Sequence, residues 1–253
     1  MLLEISGLTK RFGGLKAVSD FDIGVAEGEI VGLIGPNGAG KSTVFNLITG
    51  VLPVTSGTVM FRDKDITRSQ PDQVAKLGIG RTFQLNPLFP DFTVLQNVTS
   101  SFHLHPHSSL VDIFFNTRKY RRNEAFVQEK AHEVLGLVGL SKVANELAKN
   151  LAHGHQKMLG VARALATKPT LLLLDEPLAG MNPSEIQYSL DAIRGMRDSG
   201  ITVLIVEHNM QILTLCDRVV VISFGEKICE GLPSEVRANS EVISAYFGAD
   251  YVC

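Results

Sequence analysis

The sequence predicts an α/β fold with a parallel sheet and a mainly helical insertion, and three observations lead to it. First, apolar runs at residues 171–174, 201–206 and 219–223 have the length and composition of buried strands. Second, Pro183 lies between two of these runs and begins a segment with apolar residues at helical spacing, which predicts a βαβ unit. Third, 253 residues of which 45% are hydrophobic suffice for one large α/β domain.

The first third of the chain predicts short strands separated by glycines. The strand candidates are residues 2–8, 18–25, 29–34 and 58–62. A helix is expected to begin at Lys41 and to end at Gly50, because glycine commonly terminates helices.

The middle of the chain differs in composition from the two ends. Its last part has Ala131, Leu135 and Val138 on one helical face, which predicts an inserted helical subdomain. We therefore expect a core formed by residues 1–84 and 157–253, with residues 85–156 inserted between them.

Two clusters within the insertion carry alternative interpretations. His103, His105 and His107 suggest a metal site, but no cysteine or acidic cluster accompanies them, which favours a solvated loop. The basic cluster at residues 118–122 is suited to anionic lipid headgroups or a partner, and the alternative is a solvated helix face.

Charge and hydropathy limit the possible functions. The 24 basic and 26 acidic residues give a net charge of −2, which does not indicate nucleic-acid binding. The mean hydropathy of +0.15 is apolar for a soluble protein. Since each apolar run has only the length of a strand, far below the ~20 residues of a spanning helix, no transmembrane segment is predicted.

Residues 35–43 form the pattern G-x-x-x-x-G-K-[ST] between an apolar strand and a predicted helix. In this pattern, glycines let backbone N–H groups surround phosphate oxygens, and the helix N-terminus adds partial positive charge. Lys41 is expected to contact the β- and γ-phosphates, and the Ser42 hydroxyl to bind Mg²⁺. The predicted nucleotide contacts are Asn37, Gly38, Ala39, Gly40, Lys41, Ser42 and Thr43.

Two carboxylates follow the predicted strand at residues 171–174. Ligands bind at the carboxyl ends of strands in open parallel sheets, so Asp175 and Glu176 are expected to lie near the phosphates. Asp175 is then suited to hold Mg²⁺, and Glu176 to act as general base toward the attacking water.

Further segments resemble the motifs of ABC-type ATPases over nearly the whole chain. Residues 151–156, Leu-Ala-His-Gly-His-Gln, resemble the signature sequence and precede a predicted helix over residues 157–166. Gln84 corresponds to the Q-loop glutamine, and residues 179–182 correspond to the D-loop. His208 corresponds to the switch histidine, and Phe12 to the aromatic residue that stacks on adenine.

The chain is identified from these motifs as a member of that family. The resemblance implies a P-loop NTPase with a RecA-like core, an N-terminal antiparallel β region and an inserted helical subdomain. It implies ATP as substrate, Mg²⁺ as cofactor, and a second ATPase subunit that closes its signature over the bound ATP. Gln84 is implied as a Mg²⁺ ligand that couples nucleotide occupancy to the insertion, and Glu176, His208, Lys41 and Gln84 as the catalytic set.

Three departures from the family pattern bear on the predicted site. Ala152 replaces the signature serine and removes a hydroxyl from the γ-phosphate of the opposite subunit, while Gly154 and the following helix N-terminus remain. His155 replaces the usual glutamine and Asn182 the usual D-loop aspartate. Because Glu176, Lys41 and His208 are intact, we expect an active ATPase.

Within this family the sequence is similar to ATPase subunits of branched-chain amino acid importers and their urea and amide relatives. The matching stretches are residues 28–35, 45–50, 77–84, 88–90, 95–98 and 245–248. The implied partners are a sister ATPase or a second copy, two transmembrane permeases and, indirectly, a solute-binding protein. The implied location is the cytoplasmic face of the inner membrane, as a peripheral subunit.

Two other functions compete with transport. A soluble ABC ATPase acting on DNA or ribosomes is opposed by the single cassette, the lack of a coiled-coil insertion and the absence of surplus basic residues. A P-loop kinase is opposed by the signature and the switch histidine. The apolar excess then predicts two interfaces, one with the second ATPase and one in a groove beside Gln84 that receives a permease helix.

Overall fold

The computed structural model describes residues 1–83, 87–104 and 114–247. The strands are β1 Leu3–Phe12, β2 Leu15–Val25, β3 Ile30–Ile34, β4 Ser56–Phe61, β5 Lys64–Asp65, β6 Ile79–Arg81, β7 Leu171–Asp175, β8 Thr202–Glu207, β9 Arg218–Ser223 and β10 Glu226–Gly231. The helices are α1 Lys41–Ile48, α2 Pro71–Lys76, α3 Val94–Thr99, α4 Arg118–Leu137, α5 His153–Leu165, α6 Pro183–Asp198, α7 Pro233–Ala238 and α8 Ser240–Phe247.

Two sheets organise the molecule. The larger has six strands in the order β10-β9-β3-β8-β7-β6, and all neighbours except β10 and β9 run parallel. The smaller is antiparallel, with the order β2-β1-β4-β5. The predicted βαβ unit is confirmed as β7, α6 and β8, in which Leu171 pairs with Thr202.

The large sheet is buried on both faces, which explains its continuous apolar strands. In β7, Leu172 and Leu174 pack on the helical side, whereas Leu171 and Leu173 face the side of α1 and the small sheet. Because residues alternate between faces and both faces are covered, the strand requires apolar residues at every position.

The helices between β6 and β7 pack on one side of the large sheet. Thr93 caps α3 by accepting a hydrogen bond from the Gln96 backbone, and Thr117 caps α4 through Tyr120. On α4, Ala131 and Leu135 are buried as the helical pattern predicts. His105 and His107 lie outside the described residues, and the described residues include no group of three or more His, Cys, Asp or Glu side chains that could together hold a metal ion.

Several boundaries differ from those predicted. The strand expected over residues 2–8 continues to Phe12, and the helix expected to reach Gly50 ends at Ile48. The helix expected from Lys157 begins at His153, so the signature forms its first turn. Tertiary contact explains this start, because Glu185 accepts a hydrogen bond from the Gly154 N–H, which has no partner within the helix.

None of the helices in the described part of the chain combines the length and the apolarity that crossing a membrane requires.

Candidate active site

The loop between β3 and α1 forms a tight cradle. A Cβ added at Gly35 would collide with the carbonyl oxygen of Ile222 on β9, so only glycine fits there. Gly40 has a φ of 104° immediately before α1, a conformation that favours glycine. These positions bring the backbone N–H groups and the α1 N-terminus together, the arrangement that binds phosphate.

Lys41 lies in this cradle with its ammonium group buried. The Lys41 Nζ donates hydrogen bonds to the carbonyl oxygens of Gly35 and Pro36, at 2.7 and 2.9 Å. Burial lowers the pKa of Lys41, while the negative charges of Glu176, Glu207 and Asp175 oppose this shift. A partly desolvated cation among backbone donors is suited to phosphate oxygens.

A cavity of about 360 Å³ opens beside the cradle. Its lining comprises Leu15, Lys16, Ala17, Phe224, Glu176 and every residue from Asn37 to Thr43. Phe12 is not part of this lining, but it pairs with Leu15 across the β1–β2 turn and is half exposed. The cavity therefore combines a phosphate cradle with exposed apolar residues at its rim.

Asp175 ends β7 in a buried ion pair. Its Oδ2 lies 3.0 Å from an Arg81 guanidinium nitrogen, and both side chains are almost fully buried. Its Oδ1 is buried and has no hydrogen-bond partner among the described residues. Burial raises the pKa of Asp175, and the bond to Arg81 opposes that shift.

The residues near the loop fit Mg²⁺. This ion prefers oxygen ligands and is usually held by one or two protein groups together with substrate phosphates. The unpartnered Asp175 Oδ1 and the exposed Ser42 hydroxyl supply such oxygens.

Glu176 and His208 are brought together by the ends of β7 and β8. Glu176 has a φ of 47° and is mostly buried, and its Oε1 lies 3.6 Å from the His208 Nδ1. Glu207 is fully buried between the two loops and accepts hydrogen bonds from the backbone N–H groups of Leu178, His208 and Asn209. One carboxylate thus joins the segments that carry the predicted base and the predicted switch histidine.

Lys157 fixes the backbone at Glu176. Its Nζ donates a hydrogen bond of 2.9 Å to the Glu176 carbonyl oxygen, from α5. Burial lowers the pKa of Lys157, and Glu207 and Glu176 oppose that shift. A left-handed conformation at a non-glycine residue is strained, so this contact supports a backbone geometry that aims Glu176 at the cavity.

The signature residues lie away from the cavity of their own chain. Exposed Ala152 precedes α5, and the Gly154 N–H donates to Glu185 at 3.1 Å. Glu185 also accepts from the Asn182 backbone, while the Asn182 side chain caps α6. Neither Ala152 nor Gly154 lines the cavity.

Gln84 lies outside the described residues, but its surroundings are partly visible. A largely apolar groove of about 410 Å³ is bordered by Phe83 and Pro87, which flank the segment containing Gln84. Arg81 and Arg163 also line this groove. Arg81 therefore lines the groove and also forms the ion pair with Asp175.

Sequence reasoning missed three residues of this region: Arg81, Lys157 and Glu207. Arg81 and Glu207 each end an apolar strand at the carboxyl edge of the predicted sheet, and that position was the available signal. Lys157 carried no such signal, because one lysine in a helix is ordinarily solvated.

Two protein families match parts of this chain. The family described as "ABC transporter" matches residues 18–179. The family described as "Branched-chain amino acid ATP-binding cassette transporter" matches residues 226–252.

One relative and two solved structures are similar to this chain over more than nine tenths of both chains. The high-affinity branched-chain amino acid transport ATP-binding protein BraF of Pseudomonas aeruginosa is 40% identical, covering 98% of both chains. The ADP conformation of MJ1267, an ATP-binding cassette of an ABC transporter, superposes with a TM-score of 0.85 at 34% identity, covering 98% of both chains. The dimeric post-hydrolysis state of the cassette MJ0796, bound to ADP and Pi, has a TM-score of 0.76 at 25% identity, covering 91% of this chain and 98% of that one.

Proposed function

Because this chain belongs to the ATP-binding subunits of ABC transporters, ATPases that drive transport, we propose that it powers the uptake of branched-chain amino acids through partner membrane proteins. The observation that carries the proposal is the 40% identity to BraF over 98% of both chains, together with the family match at the C-terminus. Related small polar solutes, including urea and amides, are the alternative cargo.

The ATPase reaction assigns a role to each residue of the site. We propose that residues 37–43 hold the phosphates, with Lys41 at the β- and γ-oxygens, and that Phe12 stacks on adenine. Glu176 takes a proton from the attacking water. His208, whose Nδ1 lies 3.6 Å from the Glu176 Oε1, contacts the γ-phosphate. Ser42, Asp175 and Gln84 would hold Mg²⁺, which neutralises charge on the phosphates.

A second ATPase subunit completes the site. Neither Ala152 nor Gly154 lines its own chain's cavity, and exposed Ala152 at the start of α5 is open to a nucleotide bound by another subunit. The Ala152 position lacks the hydroxyl of the family pattern, so the α5 N-terminus supplies the remaining attraction for the γ-phosphate. The partner is a sister ATPase or a second copy of this chain.

The apolar groove is the proposed contact for the permeases. Its lining is mainly apolar and contains two arginines, which is suited to a short amphipathic helix with a polar side. Two permeases would occupy the grooves of the two ATPase subunits. A solute-binding protein would act through the permeases, and the complex would hold this chain at the cytoplasmic face of the inner membrane.

The Glu176→Gln substitution tests the proposed base. The variant should bind ATP as tightly as the wild type, because the amide preserves shape, and its hydrolysis rate should fall by about 100-fold or more because the proton acceptor is lost. ATP affinity is measured by fluorescent-nucleotide titration and turnover by phosphate release. Glu129→Gln, an exposed carboxylate on α4 away from the cavity, is the matched control, and unchanged turnover in Glu176→Gln would exclude Glu176 as the base.

Uptake measurements test the cargo. Vesicles containing this chain and its genomically adjacent permeases should accumulate radiolabelled leucine in an ATP-dependent manner. Accumulation of urea or an amide, with none of leucine, would instead assign the alternative cargo. Co-purification with ribosomes or DNA and no permease would contradict a transport role.

A further inference from the structure

Two exposed aromatic side chains precede α4. Phe114 and Phe115 are 84% and 70% exposed, and their rings pack edge to face with centroids 5.3 Å apart. Exposing two adjacent phenylalanine rings to water is unfavourable, so their placement indicates a surface that is covered in the working protein.

Four basic side chains follow at the start of α4: Arg118, Lys119, Arg121 and Arg122. All four are exposed, and residues 114–123 include no acid. Arg118, Arg121 and Arg122 form no ion pair with any described residue, whereas Lys130 on the same helix pairs with Glu133 at 2.7 Å.

The position of these charges opposes helix stability. A helix N-terminus carries partial positive charge, so cations in the first turns are unfavourable there. The first turn of α4 contains no acid, and Thr117 alone caps it. The charges of Arg118, Arg121 and Arg122 are therefore explained better by a negatively charged surface outside the helix than by the helix itself.

The middle of α4 lies near the end of α5 that borders the groove. Arg163, Ala164 and Thr167, at and just beyond the end of α5, line the groove. The Lys168 Nζ lies 5.3 Å from the ring centroid of Phe126 on α4. The other end of α4 leads to Val138, whose carbonyl accepts a hydrogen bond from Tyr188 on α6, near the signature. The aromatic and basic end of α4 is thus the end nearer the groove.

We propose that this surface, the α4 patch (Phe114, Phe115, Arg118, Lys119, Arg121 and Arg122), binds the anionic phospholipid headgroups of the bilayer beside the permeases. The proposal rests on the proposed function, since the groove must face a membrane-embedded partner. The basic side chains contact phosphates and the aromatic rings enter the headgroup region, a combination typical of interfacial membrane binding.

Vesicle sedimentation tests the proposal with the purified full chain. It should bind phosphatidylcholine vesicles that contain phosphatidylglycerol and bind pure phosphatidylcholine vesicles much more weakly. High salt should release most of the protein from the anionic vesicles, leaving a smaller fraction held by the aromatic rings. Equal binding to both vesicle types would overturn the proposal.

A charge-matched pair of variants assigns the binding to the patch. The variant R118Q/K119Q/R121Q/R122Q should lower the partition coefficient onto anionic vesicles by about 10-fold or more, since each basic residue near such a surface contributes. The control K64Q/R68Q/K142Q/R237Q removes the same number of exposed charges elsewhere and should bind nearly as the wild type. Equal losses in both variants would show that net charge, rather than the patch, is responsible.

The aromatic pair has its own test. The F114S/F115S variant keeps every charge and should lose the part of vesicle binding that persists at high salt. Unchanged binding of this variant would exclude insertion of the rings.

Assembly in detergent separates this proposal from the proposed function. In a neutral detergent without anionic lipid, the four-glutamine patch variant should co-purify with the permeases as the wild type does. Its loss from that complex would show that the patch binds a permease instead of lipid. Failure of the wild type to assemble would contradict the transport role. The lipid proposal would then be decided by the vesicle measurements, which use the purified chain alone.

Discussion

Arg81 is the residue through which the groove and the phosphate site meet. Its guanidinium donates to Asp175, to the Asn46 side chain and to the Thr49 hydroxyl, and it lies 4.9 Å from the ring centroid of Phe83. A movement of Phe83 at the groove would therefore shift the cation that holds Asp175. This contact is a physical route by which the proposed permease docking would influence the carboxylate that we propose as a Mg²⁺ ligand.

Replacing Arg81 should be costly. Arg81→Met leaves Asp175 buried without its cation, so the free energy of unfolding should fall by about 3–5 kcal/mol. Urea unfolding of the nucleotide-free chain measures it. Arg81→Lys keeps the charge and should lose less, and a loss below about 1 kcal/mol in Arg81→Met would show that the pair is not important for stability.

Tyr246 on α8 makes the free energy of unfolding depend on pH in the alkaline range. Burial raises the pKa of Tyr246 to about 12, and the Glu207 charge adds to the shift. Because the folded pKa exceeds the unfolded value near 10, the folded state holds the phenolic proton more tightly. This stabilisation is complete below about pH 10 and is lost as the pH rises through about 12.

The Tyr246→Phe variant isolates this effect because it cannot titrate at that position. Between pH 8 and pH 11 the wild type should lose about 1 kcal/mol more unfolding free energy than the variant. Urea unfolding of both proteins at each pH measures the difference. Parallel losses in the two proteins would show that Tyr246 titrates normally.

At the scale of elements, α6 explains a departure from the family pattern. Asn182 and Glu185 form a reciprocal capping box, and Glu185 also accepts the Gly154 N–H at the start of α5. Asparagine caps a helix about as well as aspartate does. The exchange at the D-loop position therefore preserves the cap that joins α6 to the signature.

The Asn182→Ala variant tests this role. It should lower the free energy of unfolding by about 1 kcal/mol, because the Glu185 and Ser184 donors lose their acceptor. Asn182→Asp should retain most of that stability. Thermal and urea unfolding provide the comparison, and an alanine variant as stable as the wild type would exclude a capping role.

At the scale of the whole molecule, the two halves of the proposed site lie apart within one chain. The cradle lines the cavity beside the β1–β2 turn, whereas neither Ala152 nor Gly154 lines that cavity and Gly154 bonds to Glu185 on α6. A single chain therefore cannot place its own signature on its own nucleotide in this arrangement.

ATP should consequently drive association. Glu176→Gln should form a dimer in size-exclusion chromatography with light scattering when ATP is present, and remain monomeric with ADP. Adding Lys41→Gln to that variant should abolish the dimer, because phosphate binding is weakened. A monomer under every condition would contradict self-pairing, and mixing with a sister ATPase would then test the other partner.

The local sequence determined most of the strands, though not β5, β6 and β10, together with the phosphate loop and the acidic strand end, because each of these is encoded by neighbouring residues. Residues 171–174 are apolar at every position since both sheet faces are buried, and residues 35–43 contain the glycines that the loop requires. The resemblance read from the motifs led to the family, which the comparisons confirm. The roles of the individual site residues remain predictions.

Only the tertiary structure decided which distant groups meet. Arg81 and Asp175 are separated by 94 residues, and Lys157 reaches Glu176 through a hydrogen bond to its carbonyl oxygen. The start of α5 at His153 likewise depends on Glu185, a residue of another helix. Such contacts depend on how strands and helices pack, and a pattern of neighbouring residues contains no information about which far segment supplies a buried charge with its partner.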